Sequence, residues 1–129
     1  MRLLVCGLNP VVANVLEFRI RRYGYFLHRT DNINDALHLI HNTRIDALIL
    51  NTDFVAYQIS TFISLIRQDL NVKLPIILFA EADTDLNIIE EGIEAGADDF
   101  LIFPFKPAEL ILRLKLLLHQ PAKQQRDYF

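Results

Sequence analysis

Cysteine, glycine, proline and tryptophan are all scarce in this chain of 129 residues, which contains one, four, five and none of them respectively. Because Cys6 is the single cysteine, an internal disulfide is excluded, and the composition fits a reducing compartment. No internal repeat, low-complexity run or second domain is visible. The length and the 52% share of apolar residues predict one domain that buries a proper core.

A basic surface and a long apolar run are also missing. The formal net charge is -3, whereas binding to nucleic acid requires cationic groups that neutralise phosphates. No apolar run is long enough to cross a bilayer, and the apolar part of residues 1–7 is too short for a signal peptide. We therefore expect a soluble, cytoplasmic domain that binds neither nucleic acid nor membranes.

Residues 44–53 have the pattern of a central strand. Their apolar run, residues 47–50, is short and bounded by polar residues, which is typical of a strand buried on both faces of a parallel sheet. The run ends at Asn51. Because ligands and chemistry collect at the carboxyl ends of the central strands in open parallel sheets, Asn51 is the first candidate site residue.

The rest of the chain alternates strand and helix patterns joined by short turns. Predicted strands lie at residues 3–6, 25–30, 74–80 and 100–103, and a predicted helix follows each of the five strands, the last helix ending near His119. This alternation predicts a three-layer α/β fold with a doubly wound parallel sheet. We assign residues 1–119 to the domain and the polar, proline-containing residues 120–129 to a linker or a frayed end.

Two helix features are predicted in more detail. Asn9, followed by Pro10, is the expected N-cap of the first helix, and Asp31 or Asn32 that of the second. In the first helix we expect one apolar set to face the core and one charged set to face solvent. These sets are Val11, Val15 and Phe18 on the inside and Glu17, Arg19, Arg21 and Arg22 on the outside.

The strongest motif in the chain is Glu94-Ala95-Gly96-Ala97-Asp98-Asp99-Phe100-Leu101, followed by Pro104-Phe105 and Pro107-Ala108-Glu109-Leu110. These motifs resemble the receiver domain of two-component response regulators, and the last of them resembles its winged-helix transcription-factor branch. Gly24-Tyr25, Asp35-Ala36-Leu37, Asp46-Ala47-Leu48 and Leu74-Pro75-Ile76-Ile77 also match at the family's spacings. The resemblance covers residues 2 to about 119 and implies a flavodoxin-like strand order of 2-1-3-4-5.

The resemblance also implies which positions would carry phosphotransfer chemistry. A receiver accepts a phosphoryl group on an aspartate after its third strand, beside magnesium held by an acidic pair, and a hydroxyl and a lysine bind the phosphoryl oxygens. Here the phosphoacceptor position is Asn51, the acidic pair falls among Cys6, Gly7 and Leu8, the hydroxyl position is Ala80, the lysine position is Phe103, and the aromatic switch position is Phe100. We therefore expect no magnesium site, no cofactor and no enzymatic activity.

Most of these replacements are apolar, which predicts a filled pocket rather than a polar cleft. We expect Phe103, with Phe79, to occupy the vacated space, each burying area worth roughly 1.5–3 kcal/mol. The switch would then be fixed in one state. The family pattern also implies a cis peptide bond between Phe103 and Pro104.

A domain that does not switch by phosphorylation is expected to work through contacts. The resemblance implies a symmetric homodimer through the fourth helix, the fifth strand and the fifth helix, and the last helix is apolar on more than one side. The residues expected on this dimer face are Ile88, Ile89, Asp98, Asp99, Glu109, Leu112, Arg113 and Leu116.

These expectations describe a degenerate receiver that acts without phosphorylation, as a regulatory and dimerisation module of a transcriptional regulator. A DNA-binding effector domain would then lie outside this sequence. The main alternative is an active receiver that uses Asp53 as a displaced phosphoacceptor in a rearranged site. A second alternative is a stand-alone adaptor that binds a protein or a small molecule at the modified pocket.

Overall fold

The computed structural model describes residues 1–55, 58–70 and 73–118. Five parallel strands form one sheet in the order β2-β1-β3-β4-β5. The strands are β1 (Arg2–Cys6), β2 (Phe26–Thr30), β3 (Ala47–Asn51), β4 (Ile76–Glu81) and β5 (Asp99–Phe103). The helices are α1 (Pro10–Ile20), α2 (Ile33–Asn42), α3 (Ile59–Ser64), α4 (Leu86–Ala95) and α5 (Pro107–Leu118). The predicted flavodoxin-like fold and its strand order are confirmed.

Strand β3 occupies the centre of the sheet because its side chains are apolar on both faces. Leu48, Ile49 and Leu50 are fully buried. Leu48 and Leu50 belong to the core beneath α2, α3 and α4, whereas Ile49 belongs to the core beneath α1 and α5. Each such side chain contributes about 1.5–3 kcal/mol by leaving water, so both helical layers depend on this strand.

The predicted caps are present at the helix starts near the carboxyl edge of the sheet. Asn9 Oδ1 accepts a hydrogen bond of 2.8 Å from the backbone N–H of Val11, and Pro10 takes the first helical position. Asn32, rather than Asp31, caps α2 by accepting from the backbone N–H of Asp35 at 3.1 Å. These caps fix where the chain turns from strand into helix.

The prediction for the inner face of α1 is wrong. Ala13, Leu16 and Ile20 are the residues that pack on the sheet, and each is at most 2% exposed. The other apolar set lies outside, with exposed fractions of 71% for Val11, 53% for Val15 and 65% for Phe18. Apolar residues occur on both sides of this helix, so periodicity alone does not select the buried side. The small Ala13 and the longer Leu16 and Ile20 are the set that the structure packs against β1 and α5.

Arg67 connects three segments beside the amino end of β4. It follows α3 in a single wide helical turn, Leu65–Asp69. Its guanidinium donates to the carbonyl oxygens of Leu74 and Gly96 and to the Asp98 carboxylate. Asp98 Oδ2 also accepts a 2.8 Å hydrogen bond from the backbone N–H of Ile76, the first residue of β4. The segments that enter β4 and β5 are therefore held by one side chain.

Substituting Arg67→Met is expected to lower the free energy of unfolding by about 2–4 kcal/mol, because it leaves two carbonyls and a carboxylate without their partner. Arg44→Met is the matched control, since the Arg44 side chain is 87% exposed and among the described residues pairs with Asp46 alone, so that its loss costs less than about 0.5 kcal/mol. Urea unfolding of both variants measures the difference. Equal losses in the two variants would contradict the bridging role of Arg67.

Candidate functional site

The candidate site lies at the carboxyl edge of the sheet, where four strands end side by side. The strand register pairs Cys6 with Leu50, Asn51 with Phe79, and Glu81 with Phe103. Because side chains alternate along each strand, Asn51 lies on the same face of the sheet as Phe79 and Ile49. The positions named from the sequence at the ends of β1, β3, β4 and β5 are thus neighbours in space.

Both polar atoms of the Asn51 side chain are engaged within the protein. Its Nδ2 donates a hydrogen bond of 2.8 Å to the carbonyl oxygen of Gly7, and its Oδ1 accepts one of 2.8 Å from the backbone N–H of Asp53. The first bond joins the end of β3 to the end of β1, and the second starts the short helical turn Thr52–Val55. Asn51 therefore uses both of its polar atoms to hold the loop after β1 and the turn after β3 against the edge of the sheet.

Gly7 occupies a backbone conformation that favours glycine. Its φ is +82°, and a Cβ placed on it would lie 3.0 Å from the Cβ atoms of both Asn51 and Phe54. Its backbone N–H donates to the carbonyl oxygen of Thr30 and so extends the pairing of β1 with β2. Conformation and crowding both oppose a larger side chain at position 7. The sequence analysis singled out this residue without foreseeing the contact.

The remaining named positions contribute apolar or buried groups. Cys6 and Ala80 are at most 1% exposed, and Leu8 is half-buried against the core on the α1 side. Burial raises the pKa of the Cys6 thiol to about 12, so that the group is a protonated thiol at neutral pH rather than a reactive thiolate. Thr52 is fully buried, and its hydroxyl has no hydrogen-bond partner among the described residues. Nothing in the sequence pattern signalled that buried hydroxyl.

Three aromatic side chains pack together at the ends of β4 and β5. The ring centroids of Phe79 and Phe103 are 6.5 Å apart, and Phe105 completes the cluster at 5.9 Å from Phe79 and 6.1 Å from Phe103. Phe103 and Phe79, which were expected to fill the vacated space, thus lie close together, and Phe105 joins them without having been predicted. The peptide bond between Phe103 and Pro104 is cis, as predicted.

Acidic groups do not converge at this edge within residues 1–55, 58–70 and 73–118. Asp53 is exposed, and its backbone N–H, rather than its carboxylate, contacts Asn51. No group of three or more His, Cys, Asp or Glu side chains able to hold a metal ion occurs among the described residues. The described part of the edge therefore carries aromatic and aliphatic groups, the engaged amide of Asn51, and the exposed carboxylates of Asp53 and Glu81.

The predicted dimer face is only partly exposed. Leu112 and Leu116 are each 58% exposed on α5, and Phe100 and Ile102 are each 41% exposed on β5. Asp99 accepts two hydrogen bonds, of 3.0 and 2.8 Å, from Arg113, and this contact raises the pKa of the guanidinium. A groove of about 470 Å³ runs along β5. Glu109, Asp99 and Arg113 are among its lining residues.

Three residues assigned to that face are engaged within the domain to different degrees. Ile89 is only 5% exposed, and Ile88 is half-buried against the core beneath α2, α3 and α4. Asp98 is exposed, but its carboxylate accepts hydrogen bonds from Arg67 and from the backbone N–H of Ile76. Burial therefore withdraws Ile89 from the surface that a partner would contact.

Comparisons with known proteins agree with this geometry. Residues 3–115 match the family model for the response regulator receiver domain. A response regulator of Chloroflexus aurantiacus, described as putative, has a crystal structure with 34% sequence identity and a TM-score of 0.78, covering 91% of this chain and 96% of that chain. The chain belongs to the response regulator receiver domain family of two-component signalling.

Two further structures show the range of proteins that contain this fold. The receiver domain of a sensor histidine kinase from Pseudomonas aeruginosa is 26% identical, with a TM-score of 0.74 and coverage of 91% of this chain and 96% of that one; its structure has magnesium coordinated in the active-site cleft. NtrX of Brucella abortus, solved with ADP, is 19% identical with a TM-score of 0.78. The match covers 98% of this chain but 28% of NtrX, and at that identity it shows the fold alone.

In the part of the chain that the structure describes, no helix combines the length and the apolar character needed to cross a membrane.

Gly7→Ala is expected to destabilise the domain more than Gly24→Ala, although both glycines have nearly the same φ, +82° and +81°. Gly24 has nothing within 4 Å of an added Cβ, so its substitution costs only the conformational penalty of about 1–2 kcal/mol. Gly7→Ala adds the contacts with Asn51 and Phe54, about 1–3 kcal/mol more. Thermal and urea unfolding measure both; equal losses would show that the edge beside Asn51 is not closed.

Proposed function

We propose that this domain is a receiver that regulates its protein through contacts, without accepting a phosphoryl group. The observation that carries the proposal is the state of Asn51 at the end of β3. Its carboxamide makes two hydrogen bonds, to Gly7 and to Asp53, within the edge of the sheet. A carboxamide is not a nucleophile at neutral pH, so this position does not form the acyl phosphate of an active receiver.

The neighbouring positions support the same conclusion. An acidic pair after β1 would have to fit at Gly7 and Leu8, where a Cβ on Gly7 would come within 3.0 Å of Asn51 and Phe54. At the end of β4 and β5, Ala80 and Phe103 supply neither a hydroxyl nor a cation for phosphoryl oxygens. Aromatic packing of Phe103 on Phe79 and Phe105 occupies the edge instead. Stabilising the charge of a transferred phosphoryl group requires such donors or a metal ion.

Asp53 is the residue that an active, rearranged site would use. It is exposed, and the described residues around it include no convergent acids for magnesium. This arrangement favours a contact module over the active-receiver alternative.

Two measurements test the absence of phosphotransfer. Amide NMR spectra with magnesium and beryllofluoride, a phosphoryl mimic, are expected to show no shifts at residues 51–53 or in α4 and α5. Incubation with acetyl phosphate is expected to leave the intact mass unchanged, because the described part of the edge does not combine a nucleophile with a cluster able to hold a metal ion. The Pseudomonas receiver domain, which holds magnesium in its cleft, is the positive control for metal binding.

The variant Asp53→Asn separates the two readings. If the wild-type protein gained a phosphoryl group and Asp53→Asn abolished the gain, the active-receiver alternative would replace the proposal. Localised magnesium-dependent shifts that persist in Asp53→Asn would also contradict it, because they would reveal a site elsewhere on the edge.

We further propose that the contacts include a symmetric dimer through β5 and α5. Four apolar side chains, Phe100, Ile102, Leu112 and Leu116, are 41–58% exposed beside the Asp99 and Arg113 ion pair. Exposed apolar residues rimmed by ionic groups are typical of association surfaces. Such pairing would bring together two effector domains that lie outside this sequence. In a transcriptional regulator these would be DNA-binding domains.

Replacing Leu112 and Leu116 by Asp is expected to weaken dimerisation at least about tenfold, because two buried apolar contacts become charged in both copies at once. Sedimentation velocity at low micromolar concentration measures this. Phe26→Asp is the matched control, since Phe26 is 66% exposed on β2 at the opposite edge of the sheet. A dimer that survives the Leu112 and Leu116 changes, or dissociates equally with Phe26→Asp, would contradict the assignment of this face.

A further inference from the structure

The outer surface of α1 presents an apolar stripe bordered by basic residues. We call Val11, Val15 and Phe18 the α1 stripe; they are spaced i, i+4 and i+7 and are 53–71% exposed. Arg19 and Arg22 border the stripe, and neither forms a salt bridge within the described residues. A helix surface that is both apolar and positively charged is left without a partner in the described domain.

The outer surface of α4 has exposed residues at the same spacing, and its charged residues are acidic rather than basic. Leu86 is 72% exposed and Ile93 38%, again at i and i+7, with Glu90 at i+4 between them. We call these three residues the α4 stripe. Glu91 and Glu94 border it, α4 contains no basic residue, and none of its three glutamates pairs with a cation among the described residues.

The two stripes cannot meet within one molecule. Helix α1 packs with α5 on one face of the sheet, and α4 packs with α2 and α3 on the other. The sheet therefore separates them, and each faces solvent on its own side. No described residue covers either stripe, so a second molecule is the partner that we consider.

We propose that a second copy of this chain covers the α1 stripe with its α4 stripe, so that copies associate head to tail. Charge selects this pairing over the symmetric ones. An α1 to α1 contact would place Arg19 and Arg22 against their own kind, and an α4 to α4 contact would do the same with glutamates. The α1 to α4 contact alone joins apolar side chains between charges of opposite sign.

The spacing of both stripes suits helix packing. Residues at i, i+4 and i+7 form a ridge along a helix surface, and two such ridges interdigitate when helices pack against each other. Because the two stripes lie on opposite faces of one domain, the contact leaves a free stripe at each end of a dimer. Such a heterologous contact continues into open chains or closes into rings.

This contact is smaller than a standard stable interface, because one helix from each copy forms it. We expect association at submillimolar rather than nanomolar concentration. Charge on both sides makes it sensitive to salt, since exposed ion pairs are screened within about 8 Å at physiological ionic strength. Helix α1 takes no part in the proposed symmetric dimer. The head-to-tail contact therefore does not require that dimer to form.

The test is made in a chain with Leu112→Asp and Leu116→Asp, which removes the symmetric contact. Sedimentation velocity over a concentration series is expected to show continued growth beyond a dimer at low salt. Arg19→Glu with Arg22→Glu is expected to weaken this association at least about tenfold, and Glu90→Arg with Glu94→Arg equally. All four changes in one chain restore the complementary charges and are expected to restore association.

Arg44→Glu with Lys73→Glu is the matched control for Arg19→Glu with Arg22→Glu, because it changes the net charge by the same amount at two exposed positions away from α1 and α4. This control is expected to associate like its parent, and circular dichroism establishes that each variant is folded. If the chain with Leu112→Asp and Leu116→Asp stays monomeric at submillimolar concentration, the head-to-tail proposal is overturned, whereas the proposal of a symmetric dimer in the wild-type chain is unaffected. The proposal is also overturned if charge reversal weakens association on only one of the two helices, or if the variant with all four changes does not associate.

Discussion

The burial of β3 on both faces is the constraint on which the rest of the domain depends. A strand surrounded by apolar side chains has no water for its backbone, so each of its backbone groups must pair with β1 or β4. Its two faces must each be covered by a helical layer, which the crossovers to α1 and α5 on one side and α2, α3 and α4 on the other supply. The parallel arrangement then brings the ends of the strands, and the residues after them, to one edge.

At that edge the domain uses its polar groups to close structure. Asn51 joins β3 to β1 through Gly7 and begins the following turn through Asp53. Phe79, Phe103 and Phe105 pack at the ends of the next two strands. If the proposed function is correct, these hydrogen bonds and aromatic contacts take the place of the metal and phosphate contacts of an active receiver. They would then keep the edge of the sheet in a single conformation.

With one edge closed, the surfaces of the helices carry the remaining capacity for interaction. The β5 and α5 surface combines exposed leucines with the Asp99 and Arg113 ion pair. Helix α1 exposes an apolar stripe bordered by arginines, and α4 exposes Leu86 and Ile93 among three glutamates. The two kinds of surface would give different assemblies, closed by symmetry in the first case and open-ended in the second. A regulatory module that acts through contacts can form both assemblies, because α1 takes part in only one of them.

The sequence by itself determined the parts of the structure that depend on local pattern. The run of apolar residues in β3, the alternation of strands with helices and the side chains of Asn9 and Asn32 at helix starts act over a few residues, so they were readable without coordinates. Asn51 was identified because it ends the central strand, whereas Gly7, Ala80 and Phe103 were identified through the resemblance to receiver domains.

Only the tertiary structure decided features that depend on the fit between distant elements. Helix α1 has apolar residues on two sides, and packing on the sheet placed Ala13, Leu16 and Ile20 inside and the α1 stripe outside. Arg67 and Asp98 are 31 residues apart, and their contact exists because β4 and β5 are adjacent. Ile89 is buried rather than exposed because of how α4 lies on the sheet. Each of these features depends on which packed arrangement of the whole domain has the lowest free energy. The periodic pattern of one segment carries no information about the segments it packs against.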